Sequence, residues 1–112
     1  MDIKIIKDYS HFENENKFLE GTGSIVLDRR NKFAYCSLSK RTNNDLVELF
    51  CSQMSYNPIV FNSFYNSKPI YHTNVMMSIC NKFSIICLDS IKDESQKKAL
   101  IANLNYSNLE II

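Results

Sequence analysis

The sequence predicts an α/β chain built from two copies of one strand–turn–strand–helix–strand unit. Three observations carry this. Shifted by fifty residues, the chain overlays itself without a gap. Each half contains two short apolar runs separated by a polar turn. Apolar residues at helical spacing follow each pair of runs. Under the shift Asn31-Lys32-Phe33 falls on Asn81-Lys82-Phe83, Leu38 on Leu88 and Tyr56 on Tyr106. The order of element types repeats with them.

Ile3 to Ile6 reads as the closing strand of a preceding unit, and Asp8 to Leu19 as a linker. In the first unit Ser24 to Asp28 and Phe33 to Leu38 are strand-like runs around a turn at Arg29 to Lys32. Thr42-Asn43-Asn44-Asp45 is a Ser/Thr-x-x-acid pattern of the kind that caps a helix start. Leu46, Val47, Phe50, Cys51 and Met54 then form one buried stripe. Tyr56-Asn57-Pro58 ends the helix, and Ile59 to Phe61 is a third strand. After a linker from Asn62 to Tyr71, the second unit has strands at Val75 to Ile79 and Phe83 to Leu88 around Asn81-Lys82. Ser90-Ile91-Lys92-Asp93 is its capping pattern, Leu100, Ile101 and Leu104 its helical stripe, and Leu109 to Ile112 its closing strand. The expected organisation is one partial domain. Residues 1–19 end a preceding unit, 20–62 form the first whole unit, and 63–112 are a linker and the second.

Composition narrows the function classes. The chain has 112 residues, enough for one modest core, with 45% hydrophobic and 22% charged residues. Thirteen basic and twelve acidic residues leave a formal charge of +1. Arg29, Arg30 and Lys32 cluster only in a turn, so no nucleic-acid surface is expected. No run approaches the ~20 apolar residues of a membrane span, and no leader peptide is evident. Cys36, Cys51, Cys80 and Cys87 lack Cys-x-x-Cys spacing and sit in apolar segments. They read as reduced, buried, structural thiols of a cytoplasmic protein, and neither zinc nor any cofactor is expected.

The chemistry-bearing residues lie just before the first strand of each unit. The two glycines, Gly21 and Gly23, fall in Phe18-Leu19-Glu20-Gly21-Thr22-Gly23-Ser24. His72-Thr73-Asn74 precedes the second unit. Under the fifty-residue shift His72 falls on Thr22, two positions from Glu20. A carboxylate beside an imidazole fixes its tautomer and suits general acid–base work. Glycine at 21 and 23 allows close backbone approach or positive φ. Gly21-Thr22-Gly23-Ser24 is not a phosphate loop, since it lacks the Lys-Ser/Thr ending and precedes a strand. Ser39-Lys40-Arg41-Thr42 reads as a helix start capped by Thr42. Phe61, Phe64, Tyr65 and Tyr71 read as packing between units.

These segments, with Leu38-Ser39-Lys40-Arg41-Thr42 and Lys68-Pro69-Ile70-Tyr71-His72-Thr73-Asn74-Val75-Met76-Met77, resemble the pentein superfamily. That group includes arginine deiminases, dimethylarginine hydrolases and amidinotransferases. The nearest likeness is to amidinotransferase-like citrulline-utilisation hydrolases. The resemblance implies strand–strand–helix–strand modules of a five-bladed α/β propeller around a central channel, here an incomplete ring of two. It also implies a reaction. A cysteine attacks a guanidinium or ureido carbon, a histidine moves protons, and a carboxylate pairs with that histidine. Glu20 and His72 match the carboxylate and the histidine, and Gly21, Thr22, Gly23 and Asn74 would border the substrate. Arginine deiminases carry Asp where this chain has Asn74. None of the four cysteines matches the family nucleophile.

The resemblance therefore implies part of a hydrolase acting on a small guanidino or ureido compound such as citrulline or arginine, inactive by itself. The alternative is a non-enzymatic pentein-like protein for binding or assembly, or a gene remnant. In either case uncovered module sides imply self-association or a complementing chain.

Overall fold

A computed structural model of the chain describes Leu19 and residues 21–112. The expected strand at Ile3 to Ile6, the linker up to Phe18 and the carboxylate Glu20 lie outside the described residues. A short helical turn, α1 (Gly21–Ser24), leads into β1 (Val26–Asp28). β1 pairs antiparallel with β2 (Phe33–Ser37). The chain crosses through α2 (Asn44–Met54) and returns as β3 (Asn57–Phe61), parallel to β2. A hairpin of β4 (Phe64–Tyr65) and β5 (Lys68–Pro69) and a 3₁₀ turn (Thr73–Val75) intervene. The first connectivity then recurs. β6 (Met77–Ile79) is antiparallel to β7 (Phe83–Ile86), and α3 (Glu94–Tyr106) leads to β8 (Glu110–Ile111), parallel to β7.

The gapless overlay does not survive at the edges of the units. β2 and β7 start fifty residues apart, at Phe33 and Phe83, and so do the helix caps Asn43 and Asp93. The turns before them differ. In the first, Asp28 is buried and its carboxylate accepts from Asn31 N at 3.2 Å and Asn31 Nδ2 at 2.8 Å. Lys32 closes this wider turn at φ 63°. In the second, Cys80 N donates to Phe83 O at 2.8 Å, so only Asn81 and Lys82 turn. Leu27 faces Ala34, but Ile79 faces Ser84, so β6 sits two residues further along. Phe33 faces Asn57, whereas Phe83 faces Glu110, because the longer α3 occupies the intervening chain.

Several boundaries also move. Ser24 belongs to α1, and β1 is shorter than its apolar run. Thr73–Val75 forms the 3₁₀ turn, so Val75 is not in a strand. Leu88–Ser90 forms another 3₁₀ turn, and the closing strand is only Glu110–Ile111. The β4–β5 hairpin was not expected. Asn66 and Ser67, at φ 50° and 64°, make its turn.

Both expected caps are corrected. Asn43, not Thr42, caps α2: its Oδ1 accepts from Asp45 N at 2.9 Å and Leu46 N at 3.3 Å. Asp93, not Ser90, caps α3, accepting from Ser95 N at 2.9 Å and Gln96 N at 3.1 Å. The adjacent amide or carboxylate reaches the free N–H groups from a shorter distance along the chain. Hydrogen bonds from Ser95 and Gln96 hold the Asp93 carboxyl below its ordinary value of 3.8. A depressed carboxyl stabilises the folded chain above 3.8, and that contribution is lost as pH falls through the lower folded value. Asn43→Ala should cost about 1 kcal/mol at any pH. Asp93→Ala should matter near neutrality and matter less at about pH 2, below the ordinary carboxyl range. Melting curves of both variants at the two pH values check this, and parallel losses would contradict it.

Alternation along β2 divides the core. Tyr35 and Phe33 face one cluster with Phe61, Met77, Ile86, Ile91, Leu100 and Leu104. Ala34 and Cys36 face the other with Ile25, Val47 and Cys51 of α2. The first sheet thus has α2 on one face and α3 on the other. The second sheet shares that first cluster on one face. Among the described residues its other face is uncovered: Ile85 is 50% exposed and its strand partner Ser78 is exposed too. A shallow groove of about 360 Å³ runs there, lined by Asn74, Val75, Ser78, Ile85 and Cys87. Among the described residues no helix is long and apolar enough to cross a membrane.

The thiols are not alike, which corrects the expectation that all four are buried. Cys36 and Cys51 are buried, Cys80 is half-buried and Cys87 is exposed; all four are free. Burial, then Cys51, pushes the Cys36 thiol far up. Burial, then Glu48, pushes Cys51 up to about 11. Alkylation of the folded chain near pH 8 should therefore mark Cys87 first and leave Cys36 unmodified until unfolding. Mass spectrometry of the labelled peptides checks the order, and early modification of Cys36 would contradict this core assignment.

Candidate active site around His72

His72 sits where the second unit begins, in the extended residue before the 3₁₀ turn, and is half-buried. Gly23 lies directly against it. A Cβ at Gly23 would stand 3.2 Å from His72 Cδ2 and Cγ and 3.5 Å from Nδ1. Any larger side chain would have to displace the imidazole, so this glycine serves close approach. Of the two uses a glycine allows here, close approach and positive φ, the structure uses the first, and the His72 ring is what approaches.

Hydroxyl groups fasten the two segments together. Thr73 is fully buried, and its Oγ1 donates to Ser24 O at 2.6 Å while accepting from Ser37 N at 2.8 Å. Ser37 Oγ in turn lies 2.5 Å from Ser63 Oγ, both buried. On the other side of His72, the Tyr71 carbonyl accepts from Ser39 Oγ at 2.9 Å and from Thr42 Oγ1 at 3.3 Å. Ser39 and Thr42 exchange backbone hydrogen bonds at 3.2 Å in a tight turn. Ser24 Oγ donates to Arg41 O at 2.9 Å, tying α1 to the same turn. Leu19 pairs with Thr42 as an isolated antiparallel bridge. Thr42 thus holds Tyr71 and Leu19 rather than capping α2.

Gly21 and Thr22 lie in α1 beside Gly23. Asn74 is exposed and lines the groove on the open face of the second sheet. Glu20 is outside the described residues, although Leu19 before it bridges Thr42. Sequence reasoning missed Thr73, Ser37 and Ser63. The available signal was position: Thr73 falls on Gly23 under the fifty-residue shift, and Ser37 continues an apolar strand.

Such an arrangement suits proton transfer. A half-buried imidazole can exchange protons with a bound solute while its backbone is held on both sides. Among the described residues no group of three or more His, Cys, Asp or Glu side chains is placed to hold a metal ion. Cys36 and Cys51 are core thiols that stay protonated near neutrality, so neither can supply the nucleophile.

Comparison with known proteins gives one family. No curated protein and no solved structure matches the chain. The family model for N,N dimethylarginine dimethylhydrolase, eukaryotic, matches residues 1–112. The chain therefore belongs to the dimethylarginine dimethylhydrolase family, within the amidinotransferase-like pentein superfamily.

Proposed function

We propose that this chain carries the proton-transfer half of a hydrolase site acting on a guanidino or ureido carbon, with His72 as acid and base. Glu20 is its carboxylate partner. A methylated arginine is the first substrate to consider, given the family, with arginine and citrulline beside it. A cysteine sulfur bonds to the central carbon, the C–N bond breaks, and the leaving amine takes a proton from the imidazolium. Water then adds to the carbon, loses a proton to the neutral imidazole, and the sulfur departs. Gly21, Thr22, Gly23 and Asn74 would border the substrate. The two strand–strand–helix–strand units would be consecutive modules of a pentein propeller.

The contact of the His72 ring with Gly23 supports this most, because it brings the glycine-bearing segment and the imidazole together. The open face of the second sheet supports a need for covering protein, from a complementing chain or a second copy. The 112 residues alone are expected to be inactive, since the family resemblance matches none of their four cysteines to the nucleophile.

The test is release of dimethylamine or ammonia from N,N-dimethylarginine, arginine and citrulline. It is run with the 112 residues alone and together with a chain supplying a nucleophilic cysteine. No release alone and turnover in combination is expected. Release by the 112 residues alone would overturn their inactivity. Absence of turnover from every substrate in a folded combination would overturn the reaction class. In that case the second reading, a non-enzymatic assembly protein using the open face of the second sheet, becomes the better one.

A further inference from the structure

The residues that flank His72 are held in an unusual way. The hydroxyls of Ser39 and Thr42 grip the carbonyl of Tyr71, the residue before it. The residue after it, Thr73, sends its own hydroxyl to Ser24 O, and Ser24 is the residue after Gly23. The Thr73–Ser24 bond therefore lies one residue from each partner of the His72–Gly23 contact. Both bonds of the Thr73 hydroxyl are buried, so water cannot replace either one cheaply. A bond so short and dry, one residue from the contact, leaves the imidazole little room to slide.

We propose that Thr73 is a positioning residue for His72, whose hydroxyl bridge from Ser24 O to Ser37 N fixes the imidazole against Gly23. The hydroxyls of Ser39 and Thr42 complete the hold at Tyr71. This rests on the reading of His72 as the proton-transfer group, but its geometric part does not need turnover. Misplacement of an acid–base group by a fraction of an ångström lowers the chemical step more than substrate binding. Thr73 thus affects kcat rather than KM.

The experiment is proton NMR of the 112-residue chain, following the cross-peak between the His72 ring protons and the Gly23 Hα. Thr73→Ser keeps the hydroxyl and should keep the cross-peak and its shift. Thr73→Val keeps the volume without the hydroxyl and should lose the cross-peak. Asp93→Ala, which weakens the cap of α3 away from this hold, should leave it in place and so separates positioning from general destabilisation. A folded Thr73→Val chain with the cross-peak unchanged would overturn the proposal. Should Thr73→Val not fold, Thr73→Ala, which removes the hydroxyl without placing a methyl against the two polar partners, decides: a weakened or shifted cross-peak supports the hold on His72, and an unmoved one overturns it. In a preparation that turns over, Thr73→Ser should restore the kcat that Thr73→Val loses, with KM little changed. If no guanidino or ureido substrate is ever turned over, the reaction class fails while the NMR result still decides the positioning.

Discussion

His72→Ala should lower turnover by about 10²–10⁴-fold in a preparation that also holds the nucleophilic cysteine, the usual contribution of a positioned acid–base group. The same change should barely alter melting, because His72 is half-buried and lies outside both core clusters. Gly23→Ala offers the graded counterpart. Gly23 lies within α1, and no left-handed φ stands in the way of alanine there. Alanine at a compatible helical position tends to stabilise, by about 0.4–1 kcal/mol. Yet its Cβ would stand 3.2 Å from two ring atoms of His72, and the imidazole must give by a few tenths of an ångström. Gly23→Ala should therefore lose activity without losing stability, and by less than His72→Ala. Steady-state rates beside melting temperatures read both variants. Wild-type turnover in His72→Ala would remove His72 from the mechanism. An inactive Gly23→Ala chain that also melted early would make the glycine a folding requirement instead.

Local pattern made the order of elements legible, and long-range hydrogen bonds decided what it could not. The β2 run from Phe33 and the helical stripes at Leu46, Val47, Cys51 and at Leu100, Leu104 were readable because burial imposes periods of two and 3.6 on the sequence. Thr42 and Ser90 were misread as caps for a common reason. A hydroxyl three residues before an acid looks like a capping box, but each hydroxyl has another acceptor. Thr42 reaches the Tyr71 carbonyl, 29 residues away, and Ser90 turns back to Cys87 O at 2.6 Å. Nothing local marks the first of these. His72 and Gly23 were singled out by residue type and by their equivalent places in the two units. Their direct contact was not, since the expected closeness ran through Glu20. Thr73, Ser37 and Ser63 were passed over because small hydroxyl residues usually mark turns and surfaces. Here all three are buried: the Thr73 hydroxyl bonds the backbone of Ser24 and Ser37, and the Ser37 and Ser63 hydroxyls bond each other.

Leu104→Ala should destabilise the whole described chain by about 2–5 kcal/mol, the usual result of emptying a buried leucine site. Leu104 is fully buried in α3, in a cluster that mixes both units. Tyr35 and Phe61 come from the first sheet, Met77 and Ile86 from the second, and Leu100 and Leu104 from the helix between β7 and β8. Asn103, next to Leu104 on α3, donates to the buried Tyr35 hydroxyl at 2.8 Å. α3 therefore belongs to the first sheet's core as much as to its own unit. Two self-sufficient modules would each bury their own apolar face and unfold independently. A shared cluster makes the loss of either face a loss for both, and a domain whose total stability is about 5–15 kcal/mol cannot hide a loss of that size. Urea unfolding followed by circular dichroism should shift as one transition. Amide exchange at Tyr35 in β2 and at Ser84 in β7 should accelerate together. Faster exchange at Ser84 with Tyr35 still protected would show two independent modules. The deletion would then be confined to the second unit, and the repeat seen in the connectivity would also be a repeat in folding.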